Sequence, residues 1–178
     1  MLEVCLQIGE GVGGDQLADL SAEVWQKIVQ AWQEFLIREY GIPVLTTDCE
    51  LTIRLTDDRE IQQLNQQFRQ INAPTDVLAF ASLETDAPLI PELNTYLGDI
   101  IISVETAQRQ AAQQQWQFSK ELLWLASHGF LHLLGWDHPD QASLEIMWQI
   151  QEKLLNLANI CVAEHPGTFA DVPISLDE

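Results

Sequence analysis

The sequence is poor in positive charge. Its 178 residues include 8 lysines and arginines against 27 aspartates and glutamates, for a net charge of −19. This balance excludes a protein that binds nucleic acid through a basic surface alone, because lysine and arginine supply most phosphate contacts. Residues 61–75, which include Arg69, and residues 106–120 nevertheless contain no acid. These windows predict either two neutral to positive patches on an acidic body or merely Gln-rich helix surfaces.

Cysteine is scarce, and long hydrophobic runs are missing. Cys5, Cys49 and Cys161 are far apart and form no C-x-x-C pair, so we expect no disulfide framework and a reducing, cytoplasmic location. No apolar run approaches the roughly 20 residues that cross a bilayer. The first residues lack the basic and apolar regions of a secretory signal. We therefore expect a protein without a membrane partner.

The pattern of apolar residues predicts a single α+β domain. Alternating apolar residues indicate strands near 4–8, 51–55, 76–81 and 98–103. Helical spacing and capping residues indicate helices near 21–40, 57–68, 105–118, 120–134 and 141–157. Strands dominate the first half and helices the second, which favours a small mixed sheet of about four strands packed with about five helices. We expect this domain to span residues 1–158, and residues 159–178 to form an irregular acidic tail.

Histidine is also rare, yet three of the four histidines lie within residues 128–138. His128 and His132 are four residues apart, which on a helix places both imidazoles on one face. Gly135 can adopt the left-handed conformation that ends a helix, so that the chain can return His138 toward the same point. Three imidazoles leave a fourth tetrahedral position for water, the pattern of a catalytic zinc site. His165, in the tail, is expected at the surface.

The same histidine spacing occurs in metzincin peptidases, which place a glutamate base directly after the first histidine. Here that position is Gly129, so the motif lacks a group that would activate water. Met147 follows the motif without a Met-turn signature and is predicted to lie in the core. A degenerate peptidase, or a metal hydrolase of some other bond, remains an alternative.

Three blocks of sequence resemble the YbeY family of metal-dependent endoribonucleases. The family motif H-G-x-L-H-L-x-G-aromatic-D-H is similar to residues 128–138, which read His-Gly-Phe-Leu-His-Leu-Leu-Gly-Trp-Asp-His. Two upstream blocks also match, Asn-Gln-Gln-Phe-Arg at 65–69 followed by Pro-Thr-Asp-Val-Leu-Ala-Phe at 74–80, and Gly-Asp-Ile-Ile-Ile-Ser at 98–103. Ala79, Ala81 and Trp136 depart from the usual Ser, Pro and Tyr or Phe. The resemblance covers about residues 45–155.

The resemblance implies a single-strand-specific endoribonuclease that acts in ribosomal RNA maturation and ribosome quality control. It implies one zinc ion per chain bound by His128, His132 and His138, on a helix in the C-terminal half, and it places Arg69 in the active cleft. Zinc lowers the pKa of bound water to about 7, so a base or nucleophile is available at neutral pH. An arginine suits the oxygens of a developing phosphorane. Arg69 could instead interact only with the carbonyls at its helix end.

Some roles stay open at this level. Asp137 is predicted either to accept a hydrogen bond from a ligand histidine or to cap the following turn or helix. Thr75 and Asp76 are expected to order the loop near the cleft. Because the chain is acidic, we expect targeting to RNA through ribosomal small-subunit proteins or, as the family suggests, a GTPase assembly factor. A non-catalytic ribosome-assembly factor with structural zinc is the remaining alternative.

Overall fold

The computed structural model describes residues 1–13, 17, 20–82 and 95–159, and the backbone of residues 160–163. Within these ranges the chain forms four strands and five α helices, as the sequence predicts. The strands are β1 (Leu2–Ile8), β2 (Cys49–Thr56), β3 (Val77–Ala81) and β4 (Thr95–Ser103). The helices are α1 (Ala22–Tyr40), α2 (Asp58–Arg69), α3 (Val104–Gln114), α4 (Phe118–Leu133) and α5 (Gln141–Ala163).

The four strands form one mixed sheet in the order β1-β2-β4-β3. Strands β1, β2 and β4 are parallel, and β3 lies antiparallel to β4 at one end of the sheet. The residues of the central strands β2 and β4 are mostly buried, because helices cover both faces of a parallel sheet. The predicted α+β class with a small mixed sheet is therefore confirmed.

Local capping signals define the helix ends. The Ser21 hydroxyl accepts a hydrogen bond from the backbone N–H of Val24 at the start of α1, and Gly41 ends that helix with φ 62°. Asp57 caps α2 by accepting from the N–H of Glu60, at 2.8 Å. The Glu60 carboxylate does not return to the backbone of Asp57 as in a capping box, because it pairs with Arg54.

The main core lies between the sheet and helices α1, α4 and α5. Its largest fully buried side chains include Trp25, Trp32 and Phe130. The Trp32 indole N–H donates to the Leu154 carbonyl at 2.7 Å, which satisfies a polar group that burial would otherwise penalise. On the opposite face of the sheet, α2 covers a small cluster of buried residues, Ile61, Leu78 and Ile101. In the main core, helix α4 packs between the sheet and α5.

Two element boundaries differ from expectation. Strand β4 begins at Thr95 rather than Gly98, because its pairing with β2 continues past a bulge between Glu50 and Leu51. Helix α5 continues to Ala163, so the first residues of the expected tail, 159–163, are helical. Residues 83–94 and residues 164–178, which include His165, lie outside the described residues. In the described part of the chain, no helix has the length and hydropathy needed to span a bilayer.

Candidate metal centre

Helix α4 presents two of the predicted ligands on one face. His128 and His132 lie one turn apart near its C-terminus, while Leu125, Phe130 and Leu133 of the same helix are buried in the core. The helix ends at Leu133, and Gly135 follows with φ 90°, as predicted for the left-handed position after a helix. The backbone N–H of Trp136 then donates to the Leu131 carbonyl at 3.0 Å. This reversal brings His138 back beside the two helical histidines.

The three imidazoles converge on one point. One ligand nitrogen from each of His128, His132 and His138 lies within 4.8 Å of the other two. The Nε2 atoms of His128 and His132 are 3.1 Å apart. Two nitrogens that bind one tetrahedral zinc at about 2.0–2.1 Å are separated by roughly 3.3 Å, so the geometry suits a metal ion. The structure thus brings together the three predicted ligands, and their nitrogens can hold one ion.

Burial favours the neutral imidazoles that a metal requires. Desolvation lowers the pKa of His128, although a hydrogen bond with Gln151 acts in the opposite direction. Desolvation, together with the neighbouring charges of His128 and His138, lowers the pKa of His132 to about 4. Removal from water penalises the imidazolium form. At neutral pH the lone pairs of these two rings are therefore free to bind a cation.

The partners behind the histidines include one that the sequence did not indicate. The Gln151 side-chain oxygen lies 3.2 Å from Nδ1 of His128, and Gln151 is fully buried on α5. No feature of the sequence distinguishes it from the neighbouring polar residues. Asp137, by contrast, accepts from the backbone N–H of His138 at 2.8 Å, a bond within the turn after α4. Asp140 caps the start of α5 through the N–H of Ser143.

The histidines line a cleft of about 580 Å³ that Arg69 also lines. Arg69 is the last residue of α2, and its side chain is exposed. Within the described parts of the chain, its guanidinium makes no ion pair, whereas Arg54 and Arg109 are both paired with carboxylates. The cleft therefore combines a potential cation site with an uncommitted arginine. Trp136 and Asp137 also line this cleft.

Thr75 and Asp76 lie in the loop between α2 and β3, and both line the cleft. One Asp76 oxygen accepts from the backbone N–H of Val77 at 2.8 Å and from the Thr75 hydroxyl at 3.2 Å. The other accepts from the Gln110 amide of α3 at 3.0 Å. These bonds hold the end of the loop against two elements, in keeping with the ordering role expected of this pair.

The residue after the first histidine serves packing. A Cβ atom on Gly129 would lie 2.7 Å from Cγ2 of Ile100 on β4, so a larger side chain fits only if Ile100 or the helix shifts. A glutamate, which metzincin peptidases use at this position, would have to displace the Ile100 side chain or α4. Met147, fully buried, is a core residue as predicted. The arrangement therefore lacks the peptidase base at this position.

Comparison with known proteins gives consistent similarities over most of the chain. The family model described as Endoribonuclease YbeY matches residues 14–159. A Trichormus variabilis protein named Endoribonuclease YbeY is 50% identical over 146 residues, which are 80% of this chain and 81% of that protein. A Synechocystis protein of the same name is 42% identical over 172 residues, 90% of this chain and 88% of that protein.

The fold is also similar to an experimental structure. The solution structure of TM1509 from Thermotoga maritima superposes with a TM-score of 0.55 at 29% sequence identity. The match covers 93% of this chain and 94% of that one. The similarity therefore extends over most of the chain.

Proposed function

The chain belongs to the YbeY family of endoribonucleases, and from this premise we propose that it is a zinc-dependent enzyme that cuts single-stranded RNA. We propose that it acts in the cytoplasm, in ribosomal RNA maturation and ribosome quality control. The observation that carries the proposal is the cleft in which His128, His132 and His138 converge beside Arg69. The three histidines can bind a metal ion, and the Arg69 guanidinium can bind a phosphate group.

The donor set fits zinc. Neutral imidazoles suit zinc among the common divalent ions, and also suit nickel and iron. The two helical imidazoles have their Nε2 atoms 3.1 Å apart, close to the spacing of two ligands of one tetrahedral ion. A bound zinc ion supplies Lewis acidity and a coordinated water of lowered pKa. Since three side chains would hold the ion, a fourth position would remain for water or substrate, as catalytic rather than structural zinc requires.

Arg69 is proposed to bind the scissile phosphate. Its planar guanidinium can donate two parallel hydrogen bonds to phosphate oxygens. Because it has no carboxylate partner among the described residues, substrate binding would not require an ion pair to be broken. A fixed cation next to the reacting phosphate stabilises the negative charge that develops in the transition state. This is the catalytic role proposed for Arg69.

The substrate has to be delivered to an acidic protein. At a net charge of −19, repulsion of RNA acts over roughly a Debye length, about 8 Å at physiological salt. We therefore propose that small-subunit ribosomal proteins, or a GTPase assembly factor, bring the enzyme to ribosomal RNA and raise its local concentration. Ribosomal RNA within purified small subunits should then be cleaved faster than the same RNA stripped of protein.

The decisive experiment is cleavage of an end-labelled single-stranded RNA by purified protein. H132A, H165A and a chelator-treated sample are assayed beside the wild type, and H165A is the control because it removes the histidine outside the triad. The proposal is supported if the wild type and H165A cleave the RNA, H132A and the chelated sample do not, and added zinc restores cleavage to the chelated sample. Equal cleavage by H132A indicates a contaminating nuclease and refutes it. If the wild type cleaves neither the free RNA nor the RNA of purified small subunits, the protein is a non-catalytic assembly factor.

A further inference from the structure

Gln151 on α5 is a buried amide whose two polar atoms both have partners. The residue is 0% exposed. The Nε2 atom donates to the Trp124 carbonyl of α4 at 3.2 Å, and the Oε1 atom lies 3.2 Å from Nδ1 of His128. The amide thus connects α5 with the backbone and with the first histidine of the proposed metal centre.

These contacts determine which way the amide points and where the imidazole proton lies. A backbone carbonyl only accepts hydrogen bonds, so the group facing Trp124 must be the NH2 of Gln151. The carbonyl oxygen of the amide consequently faces His128, and it too can only accept. A neutral His128 must then carry its proton on Nδ1, which leaves the lone pair on Nε2.

We infer that Gln151 is a positioning residue that holds neutral His128 in the Nδ1–H tautomer and aims its Nε2 at the metal position. The Nε2 atom does face the same point as Nε2 of His132, 3.1 Å away. For His132, a backbone hydrogen bond with Trp136, in the turn after α4, acts to raise the pKa against the lowering by burial.

The inference rests on the proposed function only in taking the three histidines as metal ligands, and its test begins without metal. Protein stripped with a chelator and labelled with 15N is examined at pH 7.5 by long-range 1H–15N correlation, which distinguishes the two imidazole tautomers. Wild type is compared with Q151L, which removes both polar atoms at similar volume, and with Q151E, whose carboxylate can still accept from Nδ1. Zinc affinity is measured by chelator competition.

A matched control separates positioning from ordinary loss of a buried amide. Gln33 is also buried, and its Nε2 donates to the Leu45 carbonyl at 2.6 Å. Q33L therefore leaves one backbone carbonyl without its partner, as Q151L does, but in a different part of the core. If the role of Gln151 is merely structural, the two variants lose thermal stability to a similar degree and both retain the wild-type tautomer and zinc affinity.

We expect one Nδ1–H signal for His128 in wild type, Q33L and Q151E, and a mixture of tautomers in Q151L. Loss of such a partner typically weakens metal binding about 10–100-fold, so Q151L should bind zinc weakly and Q151E within a few-fold of wild type. An Nε2–H tautomer in wild type, or unchanged affinity in Q151L, overturns the inference. Wild type with the Nδ1–H tautomer that binds no zinc refutes the proposed function instead. If Q151L does not fold, the Q151E spectrum decides, since loss of the Nδ1–H signal there overturns the inference.

Discussion

Gly129 and Ile100 bring helix α4 and strand β4 into direct contact. A Cβ atom added to Gly129 would lie 2.7 Å from Cγ2 and 3.3 Å from Cγ1 of Ile100. The residues on either side of Gly129 have fixed environments, because His128 lines the cleft and Phe130 is fully buried. The position of the first metal ligand is thus set by how closely its helix approaches the sheet.

G129A should destabilise the protein and weaken zinc binding. The added methyl group pushes α4 away from Ile100, and such overpacking costs about 1–3 kcal/mol of unfolding free energy. Urea unfolding of metal-free protein and chelator competition measure the two effects. G41A is the control, because Gly41 has φ 62° and open space around its Cβ position. It should cost about 1–2 kcal/mol through backbone strain and leave zinc affinity unchanged. A G129A protein as stable as wild type would contradict the close packing.

R69A should lower RNA cleavage by about 10²–10³-fold, the typical effect of removing one stabilising donor from a transition state. Zinc affinity should not change, because Arg69 is not a ligand. R59A removes the same charge from the same helix, at an exposed position that does not line the cleft, and should cleave within a few-fold of wild type. Single-turnover kinetics on one labelled RNA measures all three proteins. Similar losses in R59A and R69A would indicate a general electrostatic effect and remove the proposed role of Arg69.

Zinc should stabilise the folded protein through the triad. A ligand that binds only the native state adds about 2.7 kcal/mol at a concentration 100 times its dissociation constant. We therefore expect zinc to raise the melting temperature of wild type and H165A, and to raise that of H128A or H138A much less. Differential scanning calorimetry with and without zinc makes the comparison. An equal rise in all four proteins would place the zinc outside the triad.

Glu121 provides a pH-dependent test of the core beside the cleft. It is 1% exposed and accepts from the Trp116 indole N–H at 2.6 Å. Burial raises the pKa of Glu121 to about 7, and the negative charge of Asp76 contributes in the same direction. A folded pKa above the ordinary value of 4.5 means that this group favours folding below pH 4.5. The contribution is lost as the pH rises through about 7.

E121Q should therefore gain stability relative to wild type as the pH increases. The glutamine oxygen can still accept from Trp116, and it carries no charge to bury at pH 8. We expect the difference in unfolding free energy between E121Q and wild type to shift by about 1–3 kcal/mol in favour of E121Q between pH 5 and pH 8. E152Q, at an exposed position on α5, should show no such shift. If the difference in unfolding free energy between E121Q and wild type is the same at pH 5 and pH 8, Glu121 does not have the raised pKa.

The parts of the fold that depend on local interactions were determined by the sequence itself. Alternating apolar residues predicted β1 and β2, and helical spacing with capping residues predicted α1 and α2. The histidine motif is local in the same sense. Helical spacing brings His128 beside His132, and Gly135 permits the turn that returns His138. These contacts span few residues, so periodicity and backbone preference suffice to predict them.

Contacts between distant segments were decided only by the tertiary structure. Gln151 reaches His128 from another helix, 23 residues away in sequence, and Gln110 holds Asp76 across 34 residues. The extra turns of α5 beyond Leu157 likewise escaped a prediction based on local composition. The residues alone did not connect Arg69 with the histidines, and only the resemblance to the YbeY family placed it in the active cleft. Its place beside the histidines in one cleft depends on how α2 and α4 pack against the sheet, because the partners of a buried polar group are set by packing and not by its neighbours along the chain.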